Sequence, residues 1–227
     1  MDDDDSTELS QIAAELAVAF WDGREAMQAA LIAPEAAVAE AARLVGSPHP
    51  KNVKGGGRGT VVLSDASDAT SSGATGNSNF LLKELLRQSY DGSVLFPIAC
   101  PPSAALAAAV GVGSTITVEL GGSLDSRPEY APLSLEVEVL ALSTPEGKTE
   151  WGGSFGAQAA ALRHGKMVIT VFAQPPGFHV RTCFDGMGFA PEAFDLVVIK
   201  TPHAQVRRRT VLTASESESQ QWLREIR

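Results

Sequence analysis

The sequence predicts an α/β domain with α+β features: a mixed β-sheet with covering helices, preceded by a helical N-terminal arm. Three observations predict it. Apolar residues recur at helical spacing through the first 45 positions. From residue 60 to 110, short apolar runs alternate with helical stretches, the rhythm of a sheet with helices laid over it. From 115 to 139 the pattern becomes a two-residue alternation, which belongs to antiparallel strands with one wet face.

The elements follow in order. Leu9, Ile12, Ala13, Leu16 and Phe20 define a helix over 7–21, with Ser6 or Thr7 available as its cap. Asp2 to Asp5 ahead of it read as a disordered acidic tip. A second helix runs from Pro34 to about Val45, with proline in its first turn and Val38, Ala42 and Val45 on one face. GSPHPKNVKGGGR follows, a linker over 46–58 with no periodicity. Thr60–Ser64 is a strand, Asn79–Tyr90 a helix, Ser93–Ile98 a strand and Ser103–Val110 a short Ala-rich helix. Ile116, Val118 and Leu120 alternate with polar residues, as do Leu133, Leu135, Val137 and Val139. A further hairpin turns at His164-Gly165, Leu196–Lys200 is a buried strand, and Val211-Leu212 is one more. The polar stretch 214–227 reads as a tail.

Composition narrows the function classes. A net charge of −9 excludes the clustered basic surface that nucleic acid requires, and Arg207-Arg208-Arg209 is a short solvated edge. No apolar run reaches the roughly 18–20 residues of a membrane span, so no membrane is expected. The acidic N-terminus is unlike a secretory signal. Cys100 and Cys183 give no disulfide framework, which points to a reducing compartment and a cytoplasmic protein.

One stretch invites chemistry. VVLSDASDATSSGATGNSNFLLKELL, residues 61–86, passes from strand through a small-residue loop to a helix N-terminus. Such a junction either holds an anion on free N–H groups or simply caps its helix through Asn77 or Ser78. It lacks both G-x-x-x-x-G-K-[ST] and G-x-G-x-x-G, so capping is the preferred reading. His49, His164, His179 and His203 are scattered, with no pair at metal-ligand spacing, so no metal ligand is assigned. Glu119, Glu136 and Glu138 alternate with apolar residues and read as a solvated sheet face. No catalytic residue is assigned.

The segment order adds a resemblance. The runs GTVVLSDASDATSSGATGNSNFLLKELL, VLFPIACPPSAALAAAVGVGSTITVELGG, PLSLEVEVLAL and FDLVVIKTPHAQVRR, taken together, resemble the C-terminal domain of the microcystinase C (MlrC) family, the M81 metallopeptidases. The likeness covers about residues 59–210, giving a domain at 59–213, and FWDGREAM resembles the stretch leading into it. Asp65, Asp68, Gly73, Ala74, Gly76 and Ser78 fall on the family's D-x-x-D-N-P-G-G-G-A-P-G-D-S-T positions. The departures are Ala69-Thr70-Ser71 for Asn-Pro-Gly, Asn77 for Asp, Asn79 for Thr, and Cys100 for an acid. Lys200-Thr201-Pro202-His203 stands for K-S-x-x-H-F, with its histidine one place early.

The resemblance implies a lineage of zinc peptidases that degrade small linearised peptides such as microcystin. The family's zinc ligands lie in a preceding N-terminal domain, so this chain is expected to carry no cofactor and to be non-catalytic alone. Asp65, Asp68, Gly73, Gly76, Asn77, Ser78, Asn79, Lys200 and His203 are expected to form a ligand- or partner-facing loop surface. The expected partners are a second copy, an N-terminal-domain chain or a small peptide. An alternative is a component of a metal-dependent peptide hydrolase completed by a separate chain. If the arm over 1–45 packs nowhere, Leu9, Leu16 and Phe20 form an exposed patch that drives association.

Overall fold

The computed structural model describes residues 3–26, 31–45, 60–124, 130–144, 157–175, 181–201 and 211–212. Two compact units divide between Ala30 and Leu31. The first contains α1, Asp3–Gly23. The expected acidic tip is therefore helical from Asp3. Acidic residues in a first turn are stabilised by the positive end of the helix dipole, which favours helix over a frayed end.

The second unit takes in α2, Pro34–Val45. Val38 and Ala41 of α2 are fully buried in the main core, and α2 lies on α3 and β1. Burying that apolar face anchors the helix where its sequence periodicity alone suggested only amphipathicity.

Eight strands form one sheet in the order β3-β4-β5-β6-β2-β7-β1-β8. They are β1 Val61–Ser64, β2 Val94–Ala99, β3 Thr115–Leu120, β4 Leu133–Leu142, β5 Ala159–His164, β6 Met167–Phe172, β7 Leu196–Ile199 and β8 Val211–Leu212. The helices between them are α3 Phe80–Arg87, α4 Pro101–Val110 and α5 Thr182–Asp185. β6, β2, β7, β1 and β8 are parallel; β3, β4 and β5 extend the sheet in antiparallel fashion. β1, β2, β6 and β7 are buried along their whole length, as strands covered on both faces must be.

The core has two parts. On one face Leu63, Phe96, Ile98, Ile169 and Val198 pack under α2, α3 and α4. On the other, Val62, Leu95, Phe172 and Val197 meet Cys183, Phe184 and Met187 from α5 and the turn after it. β3 and β4 keep the alternation read from the sequence: Val118, Leu120, Val137 and Val139 are buried, while Glu119 and Glu136 are exposed. Glu138 pairs with Arg163 across the β4–β5 ladder, so the three glutamates belong to a solvated sheet face.

Candidate functional site

Parallel pairing puts the carboxyl ends of β1, β7 and β2 at one edge of the sheet, where open α/β sheets place their sites. Ser64 is in register with Ile199, so the next residues, Asp65 and Lys200, leave their strands side by side. Asp65 N–H donates to Ile199 C=O at 2.8 Å, and Ser64 Oγ donates to Thr201 C=O.

Lys200 has no exposed surface at all. Its Nζ donates to Asp68 Oδ2 at 2.8 Å, Asp65 Oδ2 at 3.1 Å and Ser78 C=O at 3.0 Å, which uses all three of its protons. The ammonium also lies 5.5 Å from the centre of the Phe96 ring, within cation–π range. Burial by itself would push the Lys200 pKa down. The charges of Asp65 and Asp68 outweigh it, and the pKa ends above its ordinary value, so the ammonium is fixed.

Asp68 is the hub of the loop. Gly76 N–H donates to its Oδ1 at 2.9 Å, and Ser78 N–H to its Oδ2 at 2.8 Å. These are the N–H groups that the sequence offered to an anion, and the anion is the protein's own carboxylate. The expected caps are displaced: the residue before α3 is Asn79, which makes no side-chain cap bond, and Ser78 Oγ accepts only a long 3.4 Å bond from Phe80 N–H. Ser67 Oγ donates to Asp65 Oδ1 at 2.9 Å and completes that carboxylate.

The two asparagines tie the loop to the other half of the sheet. Asn77 Nδ2 donates to Ala99 C=O and Ser123 Oγ, and Asn77 Oδ1 accepts Leu124 N–H. Asn79 Nδ2 donates to Leu120 C=O at 2.7 Å and Ala131 C=O at 3.0 Å, while its Oδ1 is buried without a partner. Gly121 has φ +86°, and a Cβ there would come within 2.3 Å of Asn79 Nδ2, so only glycine admits this approach. Cys100, at the end of β2, is buried against Ser103 Oγ at 3.2 Å and Glu119 C=O.

The structure thus brings together Asp65, Asp68, Gly76, Asn77, Ser78, Asn79 and Lys200, all buried. Gly73 is the exposed member, at the end of a short 3-10 turn over Thr70–Ser72. His203 lies outside the described residues, as do His49 and His179. The polar side chains of these residues point into the fold, where the buried Lys200 ammonium meets both carboxylates. Ser67 and Phe96 belong to the site and were not singled out from the sequence; the serine in D-A-S-D was the available signal. Beside Asp65 a largely apolar recess of about 330 Å³ is lined by Ile32, Pro34, Ala37, Leu63, Phe80 and neighbouring residues.

Among the described residues, no group of three or more His, Cys, Asp or Glu is placed to hold a metal ion. The Asp65–Asp68 carboxylate pair does not suit zinc: it already faces a buried ammonium, which would repel a divalent cation at the same oxygens.

Fold and site define a mixed-sheet α/β domain whose strand-end loop is locked by an internal Asp–Lys–Asp cluster. The family described as MlrC C-terminus matches residues 63–223, more than half of the chain, and the chain belongs to that family. A solved protein from Mesorhizobium sp. BNC1, provisionally described as a metallopeptidase, is similar in fold with a TM-score of 0.63 and 22% identity. That similarity covers 88% of this chain and 41% of the other. No curated protein matches significantly.

Proposed function

We propose that this chain is an MlrC-type C-terminal domain of the metallopeptidase lineage that is non-catalytic by itself. It serves peptide degradation, on small linearised substrates such as microcystin, as a companion to a metal-bearing domain. The observation that carries this reading is the state of Asp65 and Asp68. Both carboxylates are committed to Lys200, Asp68 also to the Gly76 and Ser78 N–H groups and Asp65 to the Ser67 hydroxyl, which makes the loop a structural lock. The buried, unpaired thiols of Cys100 and Cys183 support a reducing, cytoplasmic setting. No helix among the described residues is long and apolar enough to cross a membrane.

The test is zinc content of the purified chain after dialysis against trace zinc, with a peptidase assay on linear peptides. The expected result is no stoichiometric zinc and no cleavage. Near-stoichiometric zinc, or cleavage by the chain alone, overturns the reading. A second reading is a hydrolase component completed by a separate chain that carries the metal-binding domain. Under that reading, cleavage emerges on mixing this chain with a protein carrying the metal-binding domain.

A further inference from the structure

The recess beside Asp65 is an apolar cavity with a charge at one end. It lies wholly within the second unit, between the start of α2, the end of β1 and the start of α3. At about 330 Å³ it has the scale of a small-molecule site. Ile32, Ala37, Leu63 and Phe80 are among its apolar walls. Of the residues lining it, Asp65 is the one that carries a charge, and Ser64 and Ser67 stand beside it. Both hydroxyl protons are committed: Ser64 Oγ donates to Thr201 C=O and Ser67 Oγ to Asp65 Oδ1. Toward the recess each hydroxyl can therefore only accept. The charge behind them has the same sense. Two carboxylates, Asp65 and Asp68, meet one ammonium, Lys200, so the cluster keeps a net negative charge. The loop N–H groups of Gly76 and Ser78 go to Asp68, which leaves Asp65 the less compensated of the two.

We propose that this recess binds a small primary ammonium ion with an apolar body, its head at Asp65 and Ser67 and its hydrocarbon between Ala37, Leu63 and Phe80. An anion there meets like charge, and a neutral acceptor finds no side-chain proton to take. An ammonium brings three donors to a group of acceptors, and a positive charge to a cluster that lacks one. A free alkylamine and the amino terminus of a peptide that begins with an apolar residue share this chemistry. The site involves no metal and no cleavage, so it stands or falls independently of the reading above.

Titration of the full chain, followed by amide chemical shifts, tests this. Isoamylamine is expected to bind at one site per chain, at least about tenfold more tightly than isoamyl alcohol, because hydrogen bonds to a charged group are the stronger. Isovalerate is expected not to bind. The shifts should concentrate at Ile32, Ala37, Ser67 and Phe80. Leucinamide, whose ammonium stands beside the same apolar group, separates the two sources: tighter binding than isoamylamine assigns the site to a peptide amino terminus, and weaker binding assigns it to a free amine. Ala37→Phe fills the recess without touching the Asp65–Lys200–Asp68 cluster, and is expected to abolish binding with an unchanged circular dichroism spectrum. The proposal is overturned if the amine shows no saturable binding, if the alcohol binds equally well, or if a folded Ala37→Phe chain binds as before. Should that variant lose its fold, magnetisation transfer from the ligand methyls to Leu63 and Phe80 of the wild type decides, and its absence overturns the site.

Discussion

Asp68 and Lys200 lie 132 residues apart in sequence and meet in a buried ion pair at 2.8 Å. The pair closes the loop after β1 onto the end of β7. Removing the ammonium leaves two buried carboxylates uncompensated, and breaking such a pair from one side costs about 3–5 kcal/mol. Lys200→Met is expected to destabilise by that amount in urea unfolding. Asp68→Ala should cost more than Asp65→Ala, because Asp68 also holds the Gly76 and Ser78 N–H groups. For Asp65→Ala, any change in a measured activity should follow the loss of fold. A large loss of activity at unchanged melting temperature would contradict the structural role.

The alkaline limb of stability follows from two groups. The Lys200 pKa is raised above 10.5, and burial, then the charge of Asp195, pushes the Tyr90 hydroxyl from 10.0 up to about 12. A group whose folded pKa is raised contributes stability that is complete below its unfolded value and lost as pH rises through the folded one. Stability is therefore expected to hold to about pH 10 and to fall beyond it. The Tyr90 hydroxyl is buried without a hydrogen-bond partner. Tyr90→Phe should accordingly leave neutral-pH stability unchanged or raise it by up to about 1 kcal/mol, and should flatten the alkaline decline. Melting curves across the range, with phenolate absorbance as a second signal, check both. A loss of stability at neutral pH in the variant would show a hydroxyl that contributes to the fold.

Gly121 offers a steric test. Gly165 has φ +56° and open space around its Cβ position, so Gly165→Ala carries only the left-handed backbone cost, about 1–2 kcal/mol. Gly121→Ala adds a 2.3 Å collision with Asn79 Nδ2 and should cost distinctly more. Equal losses in the two variants would mean that the Asn79 contact is soft.

In α1, Leu16 is 65% and Phe20 71% exposed, in company with Leu9 and Ile12. An exposed apolar stripe of this kind binds apolar dyes and partners. Leu16→Glu with Phe20→Glu is expected to reduce fluorescence of an apolar dye in the native chain without lowering the melting temperature of the sheet domain. Undiminished dye binding would assign the apolar surface elsewhere.

Where the physics is local, the sequence was readable. Proline in the first turn gave α2 its bounds at Pro34 and Val45, the His164-Gly165 turn separated β5 from β6, and the alternation in β3 and β4 told inside from outside. The site was readable only in part. Asp65 and Asp68 stood out, but their role depends on Lys200 arriving through β1–β7 pairing, and no local pattern encodes that pairing. Acid next to a small-residue loop looks the same whether it awaits a ligand or answers its own N–H groups.

The strand order also dictates when the lock closes during synthesis. β3 to β6 pair with their neighbours in sequence, and such hairpins form within a short length of chain. Among the described residues β1 pairs only with β7 and β8, so it must wait for strands made more than 130 residues later. Until residue 200 leaves the ribosome, Asp65 and Asp68 have no ammonium to meet, and β1 and the β7-facing edge of β2 stay unpaired beside a growing meander. A nascent chain of this topology depends on being kept from its neighbours for most of its translation, and slow elongation near β7 would prolong that exposure.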